Sequence, residues 1–386
     1  MTYNKISLVK DTITQDNINN LIGWLSNNPK LTKGELTPKF EKLWSKWLGV
    51  KYSVFLNSGS SANLAMIYSL LLSKKLKNNK IIVPSVSWVT TVTPAIQLGM
   101  EPIMCDCDND DLGLDINHLK ELIIEHNPSS IILVHVLGVP NKLDEIIELC
   151  NEHDITLLED TCESVGSKYN DSKLGSFGLM SSFSFYYGHH MSTIEGGMVC
   201  TDSEELYYIL LSIRSHGWDR DLPENEREKL RNKYEVNDFR ALYTFYYPGF
   251  NLRSTDLQAF LGIEQLKNLD NIVDKRHKNF QIYNELINDN VWKIKPPKQS
   301  YVSNFAFPII TKNIETLVNE LNKHNIECRP LICGAMNKQP FWYETYGKKE
   351  LSNSSVIHEF GLYLPNHQDL EYDEIKLICN IVNKFA

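Results

Sequence analysis

The sequence predicts an α/β fold, a large domain built on a mostly parallel sheet followed by a smaller α+β domain, and three observations carry this expectation. Between residues 52 and 160, short apolar runs such as Lys80-Ile-Ile-Val-Pro84 alternate with stretches of helical periodicity. Strands apolar on both faces, separated by helices, imply a parallel sheet covered on both sides. Polar and acidic residues follow several of these runs, where such sheets place their sites. Beyond about residue 295 the order changes to strand, helix, strand and closing helix, the pattern of a smaller α+β unit. A chain of 386 residues suits this division. The boundaries expected are 1–265 for the large domain with an N-terminal arm, and 266–386 for a connecting helix and the small domain.

In order, helical periodicity over 17–25 and 38–48 reads as an arm and an entry helix, the second carrying Phe40, Leu43, Trp44, Trp47 and Leu48. A strand over 52–56 leads through Asn57-Ser-Gly-Ser-Ser61 into an apolar helix over 64–72. Strand, Gly-Ser turn and helix N-terminus favour a phosphate, although the same residues also serve as a plain helix cap. Strands at 80–84, 102–105, 130–136 and 155–160 are separated by helices at 90–98, 116–126 and 142–152. Trp88 follows the first of these strands and Asp160 ends the last, with Thr161-Cys162-Glu163 after it. Read without a ligand, Trp88 is a core aromatic and Asp160 an N-cap. A helix over 204–212 and a charged segment over 219–238 precede a long, interrupted helix over 254–286. The small domain reads as strand 301–310, helix 314–324, strand 326–331 and helix 372–385. No repeat or low-complexity tract interrupts the chain.

An apolar share of 42%, a charged share of 23% and a net charge of −9 are those of a soluble protein whose partner is a small molecule, not nucleic acid or an anionic membrane. No apolar run approaches the ~20 residues of a membrane span. The start Met-Thr-Tyr-Asn-Lys has no secretory apolar region, so the expected location is the cytoplasm. Eight cysteines in such a chain read as buried small residues. Cys105 and Cys107, one residue apart, are expected to share a strand face, which leaves a metal site conceivable beside the preferred reading of core packing.

The stretch 181–202, Ser-Ser-Phe-Ser-Phe-Tyr-Tyr-Gly-His-His-Met-Ser-Thr-Ile-Glu-Gly-Gly-Met-Val-Cys-Thr-Asp, reads as strand, polar loop, strand, with Gly196-Gly197 as a close-packed turn. It resembles Ser-Phe-x-x-x-Lys-x-x-x-x-x-Glu-Gly-Gly, the signature of the DegT/DnrJ/EryC1/StrS nucleotide-sugar aminotransferases, fold-type I enzymes with the aspartate-aminotransferase-like fold that use pyridoxal 5'-phosphate (PLP) or its amine form, pyridoxamine 5'-phosphate (PMP). The resemblance covers nearly the whole chain. It implies that Gly59, Ser60 and Ser184 hold the cofactor phosphate, Trp88 stacks on the ring, Asp160 pairs with the ring nitrogen and Glu163 supports the site. It also implies a homodimer with shared active sites, Asn251 reaching the phosphate from the other subunit. Arg329, Arg253, His216 and Arg220 are candidates for the carboxylate of L-glutamate or the phosphates of the sugar nucleotide, or are ordinary charges.

This chain departs from the signature at its lysine, which is replaced by His189. Imidazole cannot make the covalent link that lysine makes with the cofactor, but it is a general base near neutral pH. A histidine here resembles the family's 3-dehydratases, which make 3,6-dideoxysugars. One branch acts on CDP-linked sugars with an iron-sulfur cluster. The segment over 215–222, where its cysteines are expected, contains none. The other acts on GDP-4-keto-6-deoxy-D-mannose in colitose synthesis, with no cluster and no metal. That branch implies loss of the 3-hydroxyl from a nucleotide-linked 4-keto-6-deoxysugar, release of ammonia, and regeneration of PMP by L-glutamate, with His189 as catalytic base. Open alternatives are a sugar 4-aminotransferase using another base, a silent nucleotide-sugar-binding protein, and a motif one residue out of register that gives the role to His190.

Overall fold

The computed structural model describes residues 5–386 apart from the side chain of Cys333. Residues 1–4, which carry part of the expectation that no secretory segment opens the chain, lie outside the described residues. Helices α1 (Gln15–Leu25) and α2 (Leu36–Leu48) come first. Residues Phe40, Trp44 and Leu48 of α2, spaced four apart, bury one face. Next come β1 (Tyr52–Leu56), α3 (Gly59–Leu72), β2 (Lys80–Pro84), α4 (Val89–Gln97), β3 (Glu101–Cys105), α5 (Ile116–His126), β4 (Ser130–Val134), α6 (Leu143–Glu152) and β5 (Thr156–Asp160). The two-residue strands β6 (Lys168–Tyr169) and β7 (Ser172–Lys173) lead to β8 (Met180–Ser184), β9 (Gly197–Thr201) and α7 (Glu204–Arg214).

Seven strands form the main sheet in the order β1-β9-β8-β5-β4-β2-β3. Only β9 is reversed, running antiparallel to both neighbours. The two-residue period of the strands sends alternate side chains to opposite faces. Ile81, Val83, Ile132 and Leu158 pack with α3, α4 and α7, whereas Ile82, Ile131, Leu133 and Leu157 pack with α5 and α6. An aromatic cluster of Phe40, Trp44, Phe55, Phe183 and Phe185 seats α2 against the β1/β8/β9 side.

Beyond α8 (Glu224–Lys233) and α9 (Asp238–Ala241), the long helix expected over 254–286 is two, α10 (Asp256–Leu266) and α11 (Leu269–Leu286), broken at Lys267 and Asn268. The rest comprises β10 (Ser300–Tyr301), β11 (Phe307–Ile310), α12 (Ile314–Lys323), β12 (Arg329–Pro330), α13 (Pro340–Tyr346), α14 (Ser352–Phe360), β13 (Gly361–Leu364) and α15 (Tyr372–Phe385). A three-stranded antiparallel sheet, β11-β13-β12, packs on α11, α12 and α15. The strand expected over 301–310 is interrupted because residues 303–305 turn their hydrogen bonds inward: Phe305 N donates to Leu137 O and Asn304 Nδ2 also donates to Leu137 O. Strand β13, unrecognised in the sequence, is the centre of this sheet.

Cys105 and Cys107 do not share a face. Cys105 ends β3 inside the cluster under α5 and α6, while Cys107 lies past the strand end in the cluster shared with α11 and α15. Burial pushes both thiols well above their ordinary pKa. Among the described residues no three His, Cys, Asp or Glu side chains are grouped as a metal would require.

Candidate active site

A cavity of about 370 Å³ opens at the C-terminal ends of β4, β5 and β8. One wall is the start of α3, which begins at Gly59, five residues before the apolar run that marked it in the sequence. Ser58 is its N-cap, and its Oγ accepts from Ser61 N at 3.0 Å. The first-turn amides of Gly59 and Ser60 have no partner inside the helix by construction. A Cβ on Gly59 would lie 2.6 Å from Ser184 Cβ, and one on Gly197 would lie 2.1 Å from Ser58 O. Two glycines therefore let the β8 end and the β9 start close on the helix N-terminus, leaving a small cradle of amides and hydroxyls that suits a phosphate.

Asp160, 3% exposed, sits on the floor. Its Oδ2 accepts from Asn63 Nδ2 at 2.8 Å and Thr91 Oγ1 at 2.7 Å, and its Oδ1 accepts from Cys162 N at 3.1 Å. Ser182 Oγ, one strand over, donates to Asn63 Oδ1 at 2.6 Å and so fixes the amide. No helix follows Asp160, so the N-cap alternative falls. Its carboxylate lines the cavity in a place suited to a cationic ring nitrogen. Trp88 is 54% exposed over the opening and is not a core aromatic. Glu163 is buried on the cavity wall and accepts from Leu137 N at 2.8 Å. Burial, assisted by the charge of Asp160, raises its pKa to about 8.

The loop after β8 decides between the two histidines. His189 lines the cavity, its ring 5.3 Å from that of Phe305, edge to face. His190 is fully buried behind it, with Nε2 3.0 Å from both the carbonyl and the hydroxyl oxygen of Ser303. Burial, aided by the nearby Arg276 charge and opposed by that of Asp160, lowers the His189 pKa to about 4. The imidazole is thus neutral at physiological pH, and its buried Nδ1 has no hydrogen-bond partner among the described residues.

Gly59, Ser60, Trp88, Asp160, Glu163, Ser184 and His189 therefore share one cavity. Asn251 lies outside it, exposed, bridged to Ser215 on the segment 250–253 that runs past the end of β1. Arg220 and Arg253 line a separate surface hollow with Lys30, Lys33 and Trp218. His216 packs edge-on against Trp218, whose ring also carries the Arg220 guanidinium at 3.8 Å and stacks with Phe245. Arg329 is exposed on β12, paired in register with Tyr363, which does reach the cavity. The sequence reading missed Asn63, Thr91, Glu195, Phe305 and Tyr363. Asn63 and Thr91 carried a usable signal, being polar residues one turn into helices that follow sheet strands. Phe305 and Tyr363 come from the distant C-terminal part and carried none.

The profile of the DegT/DnrJ/EryC1/StrS aminotransferase family matches residues 12–383. GDP-4-keto-6-deoxy-D-mannose 3-dehydratase of Yersinia pseudotuberculosis is 37% identical over 376 residues, 95% of each chain. Two solved structures at 35% identity each superpose with a TM-score of 0.89. A variant of GDP-4-keto-6-deoxymannose-3-dehydratase with bound GDP-perosamine covers 98% of this chain and 100% of its own. The same enzyme with a trapped PLP-glutamate geminal diamine covers 97% and 99%. With a matching family profile over almost its full length and an α/β fold shared with these enzymes, the chain belongs to the DegT/DnrJ/EryC1/StrS aminotransferase family.

Proposed function

We propose that this chain is a PLP/PMP-dependent nucleotide-sugar 3-dehydratase that removes the 3-hydroxyl of a nucleotide-linked 4-keto-6-deoxyhexose. Its products are a 4-keto-3,6-dideoxysugar and ammonia, and L-glutamate replaces the amino group lost. GDP-4-keto-6-deoxy-D-mannose is the substrate that the 37%-identical relative supports. The observation that carries the reading is the cavity lining itself: it has His189 and, among the described residues, no lysine.

The residues fit the cofactor. The Gly59 and Ser60 amides with the Ser184 hydroxyl would hold its phosphate, Trp88 would cover one ring face, and Asp160, held by Asn63 and Thr91, would keep the ring nitrogen protonated. When bound, the cofactor supplies an electron sink for the pair left by a departing proton. His189, half-buried on the cavity wall and kept neutral by its lowered pKa, takes up that proton and, once charged, can return it to the departing hydroxyl as water leaves. Glu163, held protonated at neutral pH, presents a hydrogen-bond donor where an ordinary glutamate presents only acceptors. Imidazole offers no covalent route for displacing product, which favours elimination over amino transfer to sugar carbon 4.

The proposal extends to a cytoplasmic homodimer. Asn251 of each subunit would complete the other's phosphate cradle, and Arg253, Arg220, His216 and Arg329 would meet phosphates or the glutamate carboxylate. Residues 1–265 would form the cofactor-binding domain, and residues 266–386 a small domain supplying Phe305, Ile332 and Tyr363 to the cavity. Among the described residues no helix is long and apolar enough to cross a membrane.

Product analysis with PMP, L-glutamate and GDP-4-keto-6-deoxy-D-mannose tests the reading. A ketone with stoichiometric ammonia is expected. A stable aminosugar would make the protein a transferase, and binding without turnover would make it neither. Stoichiometric iron, or dependence on a reductase, would move the assignment to the CDP-linked branch.

A further inference from the structure

The most deeply buried cation near the cavity belongs to no ion pair. Arg276, on α11, is 1% exposed, and among the described residues no carboxylate lies within ion-pair distance of it. Its guanidinium is spent on carbonyls: Nη1 donates to Phe305 O at 2.9 Å and Asn366 O at 2.5 Å, and Nη2 makes a longer contact of 3.5 Å to Gly188 O. Its Nε has no partner among the described residues. Burial drops the Arg276 pKa to about 9, eased slightly by the Asp369 charge. A buried charge without a counterion is expensive, so its retention calls for a reason beyond packing.

Two of the three carbonyls belong to residues that touch His189. Gly188 immediately precedes it at φ +91°, in a turn whose backbone bond is His189 N to Tyr186 O at 3.1 Å. Tyr186 and Tyr187 on the same turn are about half exposed, so the turn has little packing of its own on that side. Phe305 supplies the ring against which the imidazole stands. One guanidinium thus reaches both the turn that bears His189 and the wall behind it.

We propose that Arg276 is a positioning residue for His189, clamping the Gly188 turn and the Phe305 backbone so that the imidazole stays aimed into the cavity, with a fixed positive charge behind it. The proposal rests on His189 being the base. Around that imidazole stand Arg276 from α11, Asp160 from the end of β5, and His190 and Tyr186 from its own loop, with Glu163, Tyr187, Glu195 and Tyr363 lining the same cavity. Asp160 favours the imidazolium, Arg276 opposes it, and burial opposes it most. Removing the Arg276 charge tips the balance towards protonation; loss of packing acts in the same direction by admitting water, so Arg276→Lys, which keeps the charge, separates the two.

The test uses Arg276→Gln, which keeps amide donors but no charge, and Arg276→Lys, which keeps charge but not the fork. The imidazole of His189 is followed by NMR titration of histidine-labelled protein without cofactor, assigned with His189→Asn, and kcat is followed against pH in the loaded enzyme. Expected are wild-type titration below 6.5, an upward displacement of about one pH unit in Arg276→Gln, little displacement in Arg276→Lys, and about a tenfold fall in kcat with a smaller change in KM in both. A folded Arg276→Gln with unchanged titration and unchanged kcat overturns the proposal. Should Arg276→Gln not fold, Arg276→Lys and the wild type decide: titration of His189 at or above 6.5 in the wild type, or full kcat in Arg276→Lys, also overturns it. Absence of dehydratase products from the wild type would sink the functional reading while leaving the titration shift readable, so the two failures are distinct.

Discussion

At the residue scale the proposed chemistry rests on a single imidazole. His189 was legible because it stands where a family signature has lysine, but its neutrality was not legible, since that follows from burial between Phe305 and the Arg276 side of the fold. His190 illustrates the limit further. In the sequence the two histidines are interchangeable, and only the bonds to Ser303, more than a hundred positions away, put His190 into the core. Replacement His189→Asn is expected to leave PLP binding, read by absorbance, near wild type while ammonia release falls by a factor of about 10²–10⁴, the usual contribution of a general base. Retained ammonia release would mean that the proton has another acceptor. The pH dependence follows with its sign: a folded pKa lowered to about 4 keeps the base form present as pH falls through 6.5. The acid limb of kcat/KM for the dehydration half-reaction should therefore lie below the ordinary histidine value, and a limb centred at 6.5 would contradict it.

Elements were readable where their pattern was local. The strands β1 to β5 announce themselves by short apolar runs, and the alternation of Phe183 with Ser182 and Ser184 sets the two faces of β8. Helix α3 was placed five residues late because Gly59, Ser60 and Ser61 have turn chemistry, yet an N-cap at Ser58 draws them into the helix. Strand β13 escaped because Gly361-Leu-Tyr-Leu364 is too short to be distinctive, and it exists only through its pairing with β11 and β12. The cradle yields an element-scale prediction. Gly197→Ala would place a methyl group 2.1 Å from a backbone carbonyl that belongs to the N-cap of α3. Gly197 is held between Leu56 of β1 and Ser184 of β8 and cannot retreat without loosening that pairing, so a loss of about 1–3 kcal/mol, typical of overpacking, is expected in denaturant melts. PLP affinity should fall with it. An unperturbed Tm and unperturbed affinity would show that the cradle is loose.

For the molecule as a whole, residues from both ends of the chain line the cavity, while Asn251 is exposed outside it and Arg253 lines a separate surface hollow. A homodimer that shares these residues is expected to sediment as a dimer. Asn251→Ala should raise the PLP dissociation constant without breaking the dimer, and a fully active monomer would remove the shared-site idea. The sequence by itself determined the fold class and the strand-end location of the cavity, because periodicity is a property of neighbours along the chain, and the resemblance to a family signature singled out Asp160, Ser184, Trp88 and His189, which the structure gathers around that cavity. Only the tertiary structure decided which histidine faces the cavity, that Asn63 and Thr91 hold Asp160, and that Arg276 stands behind His189. Arg276 lies in the run Asp274-Lys-Arg-His-Lys278, which reads as a solvated helix face. Its burial depends on Phe305 and Asn366 arriving from elsewhere. Burial and long-range hydrogen bonding are set by which distant segments meet, and no local pattern encodes that.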